Sequence, residues 1–169
     1  MQEVIQVLID AGVAAPENIR GCSEEEVKEL ENHCGVRLPQ KYREFLLVMG
    51  HGAGTFFIGT DIFYGEALFR MRRFAEDLLE ENAEPFKLPE DAFVFSMAQG
   101  CSFTYSQAFT GDDPPVYLYI EGKGSPKQIA SRFSGYMLDR AAVEARLEAE
   151  IARKDEIIQK RKQQKNGLA

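Results

Sequence analysis

Three β-prone runs crowd together in the middle of the chain, FVFSM at 93–97, SFTY at 102–105 and VYLYI at 116–120. Gly100 separates the first two, and Gly111-Asp112-Asp113-Pro114-Pro115 lies between the last two. A parallel pair needs a crossover of about a dozen residues or more. These connections are shorter and rich in turn residues, so the runs pair antiparallel, as hairpins or a meander. Phe103 and Tyr105 alternate with Ser102, Thr104 and Ser106. That alternation predicts a sheet with one packed face and one wet face.

Around this sheet the apolar spacing is helical. Val4, Ile5, Leu8 and Ile9 predict a helix over 2–11, stopped by Gly12, with VAAPENIRG as connector. Ser23 and Glu26 form a capping box, in which each side chain reaches the other residue's backbone N–H. Val27, Leu30 and Cys34 continue the buried stripe, and Gly35 offers a left-handed stop. Pro39 then opens a helix over 39–49 as its first residue, with Tyr42, Phe45, Leu46 and Met49 facing inward. The runs 56–58 and 62–64, broken by Gly59, predict one or two strands, and Leu68 to Leu79 predict a helix over 66–82.

After Gly122-Lys123-Gly124-Ser125-Pro126 the chain turns helical, and Phe133, Tyr136, Met137 and Leu138 dock on the sheet. Residues 131–162 contain no proline and only Gly135. A helix of that length measures about 48 Å, more than the domain's diameter. Its basic end, Lys160, Arg161, Lys162 and Lys165, suits the negative pole of the helix dipole and reads as a solvated, fraying segment. The sharper alternative is an oligomer contact through Val143, Leu147 and Ile151. The chain of 169 residues fits one core. It divides into an N-terminal helix and connector (1–22), a central α+β domain (23–145) and a C-terminal helical extension (146–169).

Net charge is −7 and the isoelectric point near 5.0, against a general nucleic-acid binder, whose affinity rests on Lys and Arg at phosphates. The aromatic strands lack the positive groove that base stacking needs. Cys22, Cys34 and Cys101 include no C-x-x-C pair and read as free thiols of a reducing compartment. No apolar run approaches a membrane span. The start, MQEVIQVLIDAG, carries Glu3 and no basic segment, so it reads as no signal peptide. A cytoplasmic protein is expected.

The loop Gly50-His51-Gly52-Ala53-Gly54 follows a helix rather than a strand and lacks a following G-K-[ST], so it is no phosphate cradle. An oxyanion loop would need a G-x-S-x-G elbow, and the sequence has none. The three glycines are expected to hold backbone angles closed to other residues. His33 and Cys34 point about 100° apart on a helix, and Cys22, His51 and Cys101 are scattered, so no metal site and no cofactor are expected. Cys34 reads as a small core residue. The acid pairs Glu80-Glu81 and Asp112-Asp113 read as solvated charge. No nucleophile has a base beside it, and nothing proposes an enzyme.

Taken in order, four features resemble the SUKH superfamily, which holds the yeast cell-wall-assembly regulator and many bacterial immunity proteins. They are Glu31 followed by Gly35-Val36-Arg37-Leu38-Pro39; Tyr42-Arg43-Glu44-Phe45-Leu46 with the turn Met49-Gly50-His51-Gly52; the aromatic strand set; and Ser131-Arg132-Phe133-Ser134-Gly135-Tyr136-Met137-Leu138. The resemblance covers about 23–145. It departs at Met49, where the family often has Asn, and in the absence of tryptophan. It implies an α+β fold with a mostly antiparallel sheet and packed helices. It also implies a non-enzymatic protein-binding role, as an immunity protein on a secreted toxin domain, often a nuclease, whose phosphate-holding face would be basic. The alternatives are a regulatory scaffold and, behind it, a small-ligand protein on the same fold. Candidate partner-binding residues are His51, Asp61, Tyr105, Asp112, Asp113 and Glu121, in a monomer or weak homodimer.

Overall fold

The computed structural model describes residues 1–166. Where fraying is expected, at Lys160 to Lys165, the backbone is helical through Asn166; the side chains of Arg161, Lys162 and Lys165, and residues 167–169, lie outside the described residues. The fold is α+β. The elements run α1 (Gln2–Asp10), β1 (Ile19–Arg20), α2 (Glu24–Cys34), α3 (Gln40–Met49), β2 (Gly52–Ala53), β3 (Thr60–Asp61), α4 (Glu66–Glu81), β4 (Ala92–Ala98), β5 (Ser102–Gln107), β6 (Val116–Ile120), β7 (Lys127–Ala130) and α5 (Phe133–Asn166). Strands β3 to β7 form one antiparallel meander in chain order, and β1 pairs with β2 in a separate ribbon.

Local chemistry sets the helix ends. Ser23 and Glu26 make both bonds of the capping box, and Gly35 closes α2 at φ 68°. Glu31 Oε1 accepts the Leu38 N–H at 2.9 Å, while its other oxygen meets Arg43 at 2.8 Å. This stitches the α2–α3 turn. Pro39 is the N-cap of α3 rather than its first residue, so the helix begins at Gln40, one residue later than expected. Asp113 receives the Ser134 N–H at 2.8 Å and the Ser134 hydroxyl at 2.5 Å, which starts α5.

At β4 and β5 both faces of the sheet are covered, so β5 lacks the wet face expected of it. Thr104 is 4% exposed and Ser106 0%. On their side, β4 carries a bulge between Val94 and Ser96, and the extra residue, Phe95, packs against Tyr42 of α3 and Phe133 and Tyr136 of α5. The Ser96 and Thr104 hydroxyls bond each other, which makes these two tolerable there; the Ser106 hydroxyl has no partner among the described residues. On the opposite side Phe103 stacks on Tyr119 and Tyr105 on Tyr117. The segment after α4 covers them through Phe86 and through Glu84, which accepts the Tyr119 hydroxyl at 3.2 Å.

Four further expectations are corrected. Residues 56–58 and 62–64 are not strands; only Thr60–Asp61 between them pairs. Phe56, Ile58 and Thr60 each donate to the carbonyl three residues back, and Phe57 sits at φ 59°. These turns bring the centroids of the buried Phe56 and Phe57 rings to 4.3 Å of each other, where successive side chains of a strand would point to opposite faces. Strand β7 went unpredicted because its side chains lack apolar alternation and three of the four are exposed. Cys34 is exposed rather than core, since α2 ends with it. Gly50 has φ −61°, so only Gly52 (132°) and Gly54 (61°) of the loop glycines use left-handed space.

Helix α5 has 34 residues, about 51 Å of helix. It docks through Phe133, Met137 and Ala141 and lies against α1. From Ala149 to Lys160 every residue is exposed, so this half of the helix projects beyond the core. No helix among the described residues is long and apolar enough to cross a membrane.

Candidate functional site

The glycine loop is placed by the β1–β2 ribbon, in which Arg20 faces Gly52 and Ile19 faces Ala53. The His51 N–H donates to the Arg20 carbonyl at 2.8 Å, and the Cys22 N–H to the Leu46 carbonyl at 2.8 Å. These bonds bring His51 against the first turn of α2. His51 Nε2 lies 3.0 Å from each carboxylate oxygen of Glu26. The Ser23 N–H, and then His51, hold the Glu26 carboxyl below its usual range.

The Cys22 sulfur joins this pair: Sγ, a Glu26 oxygen and a His51 ring nitrogen all lie within 4.8 Å of one another. Burial, aided by Glu26, pushes the Cys22 thiol up to about 12. At that value the thiol is protonated at neutral pH, and it becomes a nucleophile or a ligand only once a base or a cation takes its proton. Tyr64 meets the His51 ring edge-on at 5.3 Å and donates its hydroxyl to Glu29 at 2.9 Å. Beside the cluster opens a cleft of about 840 Å³, whose wall includes Arg20, His51, Gly54, Thr55 and Phe63.

The six residues expected to meet a partner do not form one patch. His51 is half-buried in the loop, and Asp61 is exposed on the short edge strand β3. Tyr105 is 4% exposed and sits in the aromatic core against Phe86 and Tyr117. Asp112 is exposed, and its carbonyl accepts the Lys41 N–H at 2.9 Å; Asp113 is engaged with Ser134. Glu121 is exposed beyond the far end of β6 from both.

A different surface concentrates the charge. Residues 76–91 hold seven acids, Glu76, Asp77, Glu80, Glu81, Glu84, Glu90 and Asp91, against Lys87, a net −6 where the whole chain carries −7. Asp91 is buried, receiving N–H groups from Gln107 and Phe109. Arg72 pairs with Glu76 at 2.9 Å and Arg73 with Asp77 at 3.8 Å. Glu80 and Glu81 are exposed and make no ion pair among the described residues. Here a cleft of about 580 Å³ has Leu79, Phe86 and Leu88 as apolar lining, with Glu76, Glu80 and Glu84 beside them. The uneven charge was visible in the sequence as a run of acids; its apolar companion was not, because Phe86 and Leu88 lie on a connector without periodicity.

The family model described as SMI1 / KNR4 family (SUKH-1) matches residues 21–139. No curated protein matches the chain.

Proposed function

We propose that this chain, which belongs to the SMI1 / KNR4 family (SUKH-1), is a non-enzymatic protein-binding module that neutralises a secreted toxin domain by covering it. The observation that carries this reading is the cleft at the end of α4, where Leu79, Phe86 and Leu88 are flanked by exposed Glu76 and Glu80 and half-buried Glu84, against the single lining cation among the described residues, Lys87. A partner with a basic face and an apolar anchor is complementary to it: charge steers the encounter, and the apolar lining supplies the desolvated centre. A nuclease, which holds phosphate with Lys and Arg, fits that description. His51, Asp61, Asp112 and Glu121 are outlying contacts in this reading, and Tyr105 supports the surface from within. The protein acts in the cytoplasm, where three free thiols persist, and it binds no nucleic acid.

The test is co-expression with the variable C-terminal domain of a secreted protein encoded beside this chain. Growth rescue and co-elution are expected. Rescue and co-elution weaken together when Glu80→Lys and Glu84→Lys are combined. A toxin that kills equally with and without the chain ends this reading.

A second reading, self-association through the last helix, rests on the outer part of α5, where Leu147, Ile151, Ile157 and Ile158 are 42–51% exposed. Sedimentation at the mass of one 19.1 kDa chain, at high concentration, excludes it.

A further inference from the structure

We propose that Cys22, Glu26 and His51 form a binding site for one thiophilic divalent cation, with zinc the best match. This inference does not depend on the toxin-binding reading. The three side chains supply sulfur, imidazole nitrogen and carboxylate oxygen, the three donor types zinc takes. Their ligand atoms lie within 4.8 Å of one another. Tetrahedral zinc holds its ligands about 3.5 Å apart, so side-chain rotation of about 1 Å closes the set.

The donors come from two chain segments, 22–26 and the loop after α3, and each is already held by a hydrogen bond. Cys22 precedes the α2 N-cap and is tied by its N–H to Leu46; His51 follows α3 and is tied to Arg20. Glu26 is held by the capping box through Oε2, which accepts the Ser23 N–H at 2.8 Å. That leaves Oε1, 3.0 Å from His51 Nε2, for the cation. The box bond then plays the orienting part that outer hydrogen bonds play at metal sites. The absence of a side chain at Gly50 leaves the sulfur its place. The adjoining cleft, which His51 lines, provides the way in and room for a water as fourth ligand.

The step balances simply. The proton that His51 Nε2 shares with Glu26 passes through solvent to Nδ1. The cation takes the freed Nε2 lone pair and one Glu26 oxygen, and it displaces the thiol proton of Cys22 to solvent as the metal–sulfur bond forms, one proton released in all. One thiolate and one carboxylate then neutralise the dication. Glu25 and Glu29 on the same helix add to the negative field that attracts it, whereas Glu24 is paired with Arg43 at 2.7 Å.

The experiment is titration of the chelator-stripped full chain with zinc chloride in two buffers of different ionisation enthalpy, and with cobalt(II) as a coloured probe. One equivalent is expected to bind with release of a proton, and cobalt to show a thiolate charge-transfer band. Affinity falls about 10–100-fold or more in Cys22→Ser and in His51→Gln. The proposal is overturned if zinc shows no saturable binding, or if folded Cys22→Ser and His51→Gln bind as tightly as the parent, which would place the cation elsewhere. The cobalt spectrum of the unaltered protein needs no variant: cobalt bound without a thiolate band also overturns it.

Discussion

The Cys22 sulfur fills the space that a side chain at Gly50 would occupy. Gly50 has an ordinary helical φ of −61°, so size, not backbone freedom, selects glycine here. A Cβ would also lie 2.5 Å from the Leu46 carbonyl oxygen, the acceptor that both Gly50 and Cys22 use. Gly50→Ala is expected to cost about 1–3 kcal/mol, as overpacking does, read as a lowered urea midpoint at unchanged slope. Gly135, inside α5 with nothing near its Cβ position, gives the opposite sign: Gly135→Ala gains about 0.5–1 kcal/mol.

Ala83 sits at φ 51° just past the end of α4. Its N–H donates to Glu80 and that of Glu84 to Leu79, the paired bonds of a Schellman stop, in which this position usually holds glycine. An alanine in left-handed space is strained by about 1–2 kcal/mol. Ala83→Gly should raise the thermal midpoint, partly offset by the greater chain entropy of glycine. A lowered midpoint would mean that the alanine methyl packs usefully.

Tyr42 is 1% exposed, and its hydroxyl has no hydrogen-bond partner among the described residues. Burial raises its pKa well above the usual tyrosine value. The ring earns its place by packing on Phe45, Phe93, Phe95 and Phe133. Tyr42→Phe keeps those contacts and removes an orphaned polar atom, so a gain of about 1 kcal/mol is expected in denaturant unfolding. A loss of that size would reveal a bound water or partner for the hydroxyl.

Burial, then the neighbouring Tyr117, pushes Tyr105 up to about 12. Unfolded tyrosine titrates near pH 10. Between those values the unfolded chain releases a proton that the folded chain keeps. Stability is therefore intact below about pH 10 and falls as pH rises toward 12. Tyr105→Phe should flatten that alkaline decline in urea midpoints measured across the range, while leaving the neutral-pH slope unchanged.

The projecting half of α5 contributes no buried side chain from Ala149 to Lys160. A chain ending at Glu148 is expected to unfold at the same urea concentration as the longer one. A drop in midpoint that depends on protein concentration would instead show that the exposed Leu147 and Ile151 join two copies.

Much of this molecule can be read from short-range rules. The capping box at Ser23 and Glu26, the left-handed stop at Gly35, the helical face from Tyr42 to Met49 and the three central strands all depend on neighbours within a few residues, and each appears where its pattern lies. The failures share a cause. Phe56-Phe57-Ile58 has the apolar content of a strand but makes turns, because β1–β2 pairing and the burial of both rings leave no neighbour for it to pair with. Thr104 and Ser106 carry the polar alternation of a wet face, yet two helices distant in sequence cover them.

The candidate sites divide along the same line. The run of acids from Glu76 was written plainly in the sequence, but the apolar lining beside it needed the connector to fold back over the sheet. The expected contacts at Tyr105 and Asp113 were polar letters whose partners, Tyr117 and Ser134, lie at sequence distances no local rule covers. By itself, the sequence determined which segments become helix and strand, where most helices stop, and the excess of negative charge, since these follow from backbone sterics and nearest neighbours. Only the tertiary structure decided that Cys22, Glu26 and His51 meet. Two-residue strands carry no periodic signal, and what holds that cluster together is a pair of backbone hydrogen bonds, whose donors and acceptors every residue but proline supplies alike.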